Sequence, residues 1–154
     1  MISKGKILIS CAAAALADAG AWYVLQPFAS DVWADPSNRE LVQAGETAYR
    51  SQCAACHGAN LEGAKNWRQR RKDGTFPSPP HDATGHTWHH SDEILFDITK
   101  HGGQHNAPSG FVSGMPAFDD KLSDREIYSV LAFIKSRWSR DVRERQDQTN
   151  RRSR

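Results

Sequence analysis

Five adjacent residues, Cys53-Ala54-Ala55-Cys56-His57, carry the chemistry that the rest of the chain must position. The spacing C-x-x-C-H fits covalent attachment of a c-type haem. Two thiols two residues apart can each add across one porphyrin vinyl group, and the adjacent imidazole then lies beneath the iron as its proximal ligand. A thioredoxin-like redox pair shares C-x-x-C but expects a βαβ context, which this chain does not offer. Zinc wants two further ligands, usually a second Cys pair. The only other cysteine is Cys11, near the N-terminus, so the count predicts one haem, bound through Cys53 and Cys56.

A six-coordinate electron carrier needs a second axial ligand opposite His57. Apart from Met1, Met115 is the only methionine, in the loop sequence Gly114-Met115-Pro116-Ala117-Phe118. A soft thioether stabilises ferrous over ferric iron, so His57/Met115 ligation raises the potential. Six further histidines, His81, His86, His89, His90, His101 and His105, crowd one stretch. They invite two alternatives: a second metal site for copper or zinc, or a histidine in place of Met115. His86 and His90 are four apart but precede the expected helix, so a helical two-His geometry does not apply.

The elements that must hold these residues are legible as helices. Ser37-Asn38-Arg39-Glu40 reads as a capping box, with Ser37 at the N-cap. Leu41, Val42, Gly45, Ala48 and Tyr49 follow as one stripe leading to Cys53. Gly45 inside a helix costs about 1 kcal/mol against Ala, which points to a close helix crossing. After Gly58 the pattern fades, and Asn66 to Lys72 reads as a basic loop or hairpin arm over Asp73-Gly74. Ser91 or Asp92 opens a second helix with Ile94, Leu95 and Ile98 on its buried face, ending at Gly102. Ser123-Asp124-Arg125-Glu126 is another capping box, and Ile127, Val130, Leu131, Ile134 and Trp138 form a strong apolar stripe behind it. An irregular stretch as long as 58–90 argues against a compact domain unless a large cofactor fills the space.

The first 34 residues read as a targeting segment. Lys4 and Lys6 precede a mostly apolar run from Ile7 to Leu25, near the roughly 20 residues that span a bilayer. Asp18 within it costs about 2.5–3.5 kcal/mol on insertion. Ala15-Leu16-Ala17 and Val32-Trp33-Ala34 resemble signal-peptidase sites, so a cleaved signal peptide stands beside an N-terminal membrane anchor. Leu8-Ile9-Ser10-Cys11 has the look of a lipoprotein box behind too short an apolar run. Either way residues 35–138 are exported. The formal net charge of +2 is too small for a nucleic-acid partner, and the mean hydropathy of −0.67 describes a soluble body. The charge is uneven: residues 136–154 carry seven Arg against three acidic residues, while residues 35–135 carry 11 basic and 13 acidic. Residues 139–154 are therefore expected to be a basic tail that extends the last helix and frays.

With these parts in place, residues 37–138 resemble a single-haem class I cytochrome c of a bacterial membrane-anchored or periplasmic type. The resemblance rests on Gly45 and Tyr49, the Cys53–His57 motif, Met115-Pro116-Ala117-Phe118, and Val130-Leu131-Ala132-Phe133-Ile134-Lys135. It implies an all-α fold of three main helices and long loops wrapped around one covalent haem, with Gly45 and Tyr49 crossing Val130 and Phe133. It also implies that Trp88 donates its indole N–H to a buried propionate. A proline after the motif should offer its carbonyl to His57 Nδ1, and Pro80 is the preferred candidate among Pro77, Pro79 and Pro80.

These features predict an electron carrier without substrate chemistry of its own, on the periplasmic face of the cytoplasmic membrane. Its partners would be a respiratory oxidase or dehydrogenase, with no small-molecule substrate. The alternatives are a peroxidase-like haem enzyme with a labile sixth position, a histidine-rich metal-handling cytochrome, or a fixed haem subunit of an oxidase or dehydrogenase complex.

Overall fold

The computed structural model describes residues 34–153, and among them all regular structure is helical. Helix α1 spans Arg39–Gln52 and runs into a single turn, α2, at Ala54–His57. A long irregular stretch leads to a short 3-10 turn at Thr87–His89 and then to α3, Asp92–His101. A second irregular stretch precedes α4, Asp124–Ser136, and α5 covers Arg140–Arg152. The candidate anchor and signal sites before residue 34 lie outside the described residues. No helix among the described residues is long and apolar enough to cross a membrane.

Helices α1 and α4 cross with their backbones nearly touching. A Cβ added to Gly45 would fall 1.8 Å from the Ser129 carbonyl oxygen. Any side chain there would force the helices apart, so the helix-propensity cost of glycine is offset by the contact it permits. One turn on, the Tyr49 and Phe133 rings meet at 5.3 Å. The expected stripe of α4 is buried in full: Ile127, Val130, Leu131, Ile134 and Trp138 pack with Ala48, Tyr49, Leu61, Phe118 and Leu122 or with Leu95. Burying each such side chain contributes about 1.5–3 kcal/mol.

Helix starts follow the local hydrogen-bonding options. Ser123 accepts from Glu126 N while Glu126 accepts from Ser123 N, so the expected capping box is present. At α1 the cap is Asn38, not Ser37. The Ser37 hydroxyl donates to Asp35 Oδ1 at 2.7 Å, and the Asn38 side-chain oxygen accepts from Glu40 N and Leu41 N. Glu40 is thereby free to pair with Arg125 on α4 at 2.9 Å. Ser91 caps α3, and Gly102 ends it. Asp92, Leu95 and Thr99 are the buried residues of that helix, whereas Ile94 is 44 % exposed. The buried face is rotated from the expected one because Asp92, in the first turn, points inward.

Asp92 explains the largest departure from expectation, at the C-terminus. Lys135 Nζ donates to both Asp92 carboxylate oxygens (3.0 and 2.8 Å), and both side chains are buried, 5 % and 6 % exposed. Gln146 of α5, fully buried, donates to Asp92 Oδ1 at 2.8 Å, and Asn150 accepts from Asp92 N at 2.7 Å. A buried ion pair is sustained only when its remaining hydrogen-bonding capacity is met. The tail therefore does not extend α4 and fray. The chain turns at Arg137–Ser139, Ser139 caps a new helix, and polar contacts fasten that helix to the body. The fold thus has a fourth substantial helix beyond the three expected. Arg70 to Thr75 likewise forms turns rather than a hairpin arm, closed by Arg71 N donating to Thr75 O at 2.8 Å.

Two substitutions test this architecture. Gly45→Ala should destabilise by about 1–3 kcal/mol through overpacking, seen as a lower thermal midpoint. Lys135→Met strands a buried carboxylate and should cost about 3–5 kcal/mol in denaturant unfolding. A loss below about 1 kcal/mol would mean that Gln146 alone satisfies the Asp92 carboxylate.

Candidate functional site

The site grows out of the end of α1. Cys53 N donates to Tyr49 O, and His57 N donates to Cys53 O at 2.9 Å, so the C-x-x-C-H segment is one helical turn continuing the first helix. Tyr49 Oη, one turn earlier, donates to the Gly58 carbonyl at 2.8 Å. The aromatic of the helix crossing thereby fixes the chain just past His57. Burial, with the neighbouring Cys53 and Glu62 charges, holds the Tyr49 hydroxyl well above its usual range. Cys53 is buried and Cys56 exposed, and both thiols are free. Burial, with the neighbouring Cys56 charge, pushes the Cys53 thiol up to about 11.

His57 is 7 % exposed. Its Nδ1 lies 2.9 Å from the Pro79 carbonyl, so the proline that orients the ring is Pro79 and not Pro80. Gly63 makes the difference. Its N–H donates to His57 O at 2.8 Å, and at φ +68° it lies so close to the two prolines that an added Cβ would fall 2.4 Å from Pro80 N. The absence of a side chain at Gly63 lets the Pro79–Pro80 backbone lie this close to the attachment turn, while the Pro80 carbonyl faces Thr87 and Gly85. With Nδ1 bonded, Nε2 is the ring's remaining ligand atom. Burial lowers the His57 pKa, against the Pro79 contact, which raises it. The neutral ring favoured by burial is the form that binds metal.

Three further observations bear on whether these residues fit a haem. The indole Nε1 of Trp88 is buried and has no hydrogen-bond partner. A buried donor without an acceptor is costly, and an acceptor supplied by a bound group, such as a propionate, would satisfy it. Met115 packs, partly buried, against the same apolar cluster as Cys53, Trp88 and Phe96. Its backbone is tied down: Met115 N donates to Ser113 Oγ at 3.1 Å, and Gly103 N donates to Met115 O at 3.1 Å. Thiols, neutral imidazole, thioether and orphan indole donor are the set a His/Met haem asks for.

The other histidines do not form a rival centre. His81 stacks on His57, ring centroids 4.1 Å apart and planes 20° apart. Axial ligands approach iron end-on from opposite faces, so a ring stacked beside His57 is not the sixth ligand. His86 stacks on Trp67 at 5.5 Å, and the Arg68 guanidinium also lies over that indole, 4.1 Å from its centroid. His101 and His105 lie 3.6 and 3.8 Å from Asp97, whose carboxylate is already engaged by the Asn106 amide. Among the described residues no group of three or more His, Cys, Asp or Glu is arranged to hold a metal ion. The Pro79 carbonyl, the docked α5 and the His57–His81 stack were not separable from sequence. Only the P-P-H triplet at 79–81 marked the region.

Comparison with known proteins agrees with this chemistry. Residues 40–134 match the family model described as cytochrome C oxidase, cbb3-type, subunit III. The chain is similar to the cbb3-type cytochrome c oxidase subunit FixP of Rhizobium meliloti (strain 1021), 28 % identical over 141 residues. That match covers 87 % of this chain and 44 % of FixP, so the chain spans less than half the length of this relative. Among solved structures, cytochrome CL from the marine methylotrophic bacterium Methylophaga aminisulfidivorans MPT aligns with a TM-score of 0.49 and 23 % identity, covering 74 % of this chain and 67 % of that one.

Trp88→Phe tests the fit. In the haem-loaded protein it should lower stability by about 1.5–3 kcal/mol, the worth of a hydrogen bond to a charged group, measured by denaturant unfolding. Unchanged stability would mean that the indole finds no acceptor.

Proposed function

The chain belongs to the cbb3-type cytochrome c oxidase subunit III family, and from that premise we propose that it is a one-electron carrier holding a single covalent haem between His57 and Met115. The group supplies reversible iron redox chemistry. The chain supplies everything else. Cys53 and Cys56 anchor the porphyrin, and Pro79 fixes the His57 ring through Nδ1. Trp88 is placed to hold a propionate. The cluster of Tyr49, Phe118, Ile127 and Phe133 keeps water from the interior side. Cys56 is exposed, so the thioether edge is where a partner would exchange electrons.

The observation that carries this reading is the combination of a buried, Pro79-oriented His57 in the C-x-x-C-H turn with an unsatisfied Trp88 indole packed against the Cys53 cluster. The partner that fits best is a respiratory oxidase on the periplasmic side of the cytoplasmic membrane. The family assignment and the likeness to FixP support it. They equally favour a second reading, in which the chain is a haem-bearing part of such an oxidase rather than a shuttle. Co-purification with oxidase subunits after mild detergent extraction separates the two: a stoichiometric complex means a fixed subunit, and free chain means a carrier.

Met115→Ala tests the axial assignment. The weak sulfur-to-iron absorption band of the oxidised protein should disappear. The potential should fall by tenths of a volt, within the roughly 0.8 V that axial ligands control. An unchanged low-spin spectrum and potential would remove Met115 from the site.

A further inference from the structure

His81 has no part in attachment or ligation, yet it is among the most constrained residues near the site. Its N–H donates to Leu61 O at 2.8 Å, and its carbonyl accepts from Trp138 Nε1 at 2.7 Å. The haem-side loop and the end of α4 therefore fix its backbone from two directions. Its ring is fixed as well. Nδ1 lies 2.8 Å from Thr87 Oγ1, and that hydroxyl in turn donates, over a long 3.5 Å, to the Pro80 carbonyl. A hydroxyl has one proton to give. The 2.8 Å contact with His81 is the stronger of the two, and the His81 tautomer decides which side of it donates. Tyr49 closes the arrangement edge-on, 6.3 Å away at 73°.

His57 is held less completely. One hydrogen bond, to Pro79 O, sets where Nδ1 lies but leaves the ring free to tilt about that contact. A parallel ring 4.1 Å away blocks the tilt, since close-packed faces resist displacement of even half an ångström.

We infer that His81 is a positioning residue for His57, setting the plane of the proximal imidazole and placing a polar ring beside it. The inference rests on His57 being the haem ligand. The chain Pro80–Thr87–His81 anchors the positioning ring, as Pro79 anchors the ligand ring. Thus both prolines serve the same histidine, one directly and one through two side chains. Such outer contacts tune a ligated metal. A polar neighbour stabilises the more positive ferric state, so an apolar replacement raises the potential.

The test uses the full-length, haem-loaded protein as wild type, His81→Leu, Thr87→Val and Thr87→Ser. The readouts are the pattern of paramagnetically shifted haem methyl resonances, which follows axial-ligand orientation, and the midpoint potential. His81→Leu should change the methyl pattern and raise the potential, with the sulfur-to-iron band intact. Thr87→Val should do the same to a smaller degree, and Thr87→Ser should restore the wild-type pattern. An unchanged pattern and potential in both His81→Leu and Thr87→Val overturns the inference. If His81→Leu does not take up haem, Thr87→Val against Thr87→Ser decides alone. Failure of the underlying ligand assignment is distinguishable, because His57→Ala would then leave the low-spin spectrum of the loaded protein unchanged.

Discussion

The contact of Gly45 with the backbone of Ser129 and Val130 is the constraint on which the rest depends. It brings α1 and α4 close enough for Tyr49 and Phe133 to pack, and it directs the Tyr49 hydroxyl at the Gly58 carbonyl. The two ends of the attachment turn are then fixed, Cys53 by the helix ladder and Gly58 by a side chain. Little regular structure follows for some 30 residues. The loop must be organised by contacts to this frame: Leu61 in the core, Gly63 on the prolines, and the His81 carbonyl on Trp138.

A second frame stands at the other end of the chain. The Lys135–Asp92 pair joins α4 to α3, and Gln146 and Asn150 bring α5 onto it. That helix also rests on the Thr87–His89 turn, where Arg145 lies 5.9 Å from the Trp88 ring. Burying this much polar surface contributes little net stability but penalises alternative arrangements. Its position behind Trp88 and Thr87 makes it a support for the segment that carries the unpartnered indole.

What was legible in the sequence was whatever local chemistry dictates. The Cys53–His57 motif, the Ser123–Glu126 capping box and the stripe from Ile127 to Trp138 each encode their own outcome within a few residues. Gly45 was legible too, because a glycine in a good helix calls for a packing reason. The misplacements have a common cause. Ser37 or Asn38 and Pro79 or Pro80 are choices between near neighbours of similar type, and the buried face of α3 turned from Ile94 toward Asp92 and Thr99. Contacts distant in sequence decide them: Gly63 on the prolines, Lys135 on Asp92. The tail was misread for a related reason. Its buried residue, Gln146, is polar, as is half-buried Asn150, and a helix that docks through hydrogen bonds leaves no hydrophobic stripe to read.

Membership in an oxidase-subunit family and a helical frame that holds the Cys53–His57 turn point the same way, to a cytochrome c domain suited to electron transfer. The most direct test is the visible spectrum of the purified protein in both redox states, taken at known chain concentration after non-covalent haem is extracted. The account predicts one retained haem per chain, low-spin in both states, with a sulfur-to-iron band in the oxidised form. A high-spin ferric spectrum, or haem lost on extraction, would contradict it.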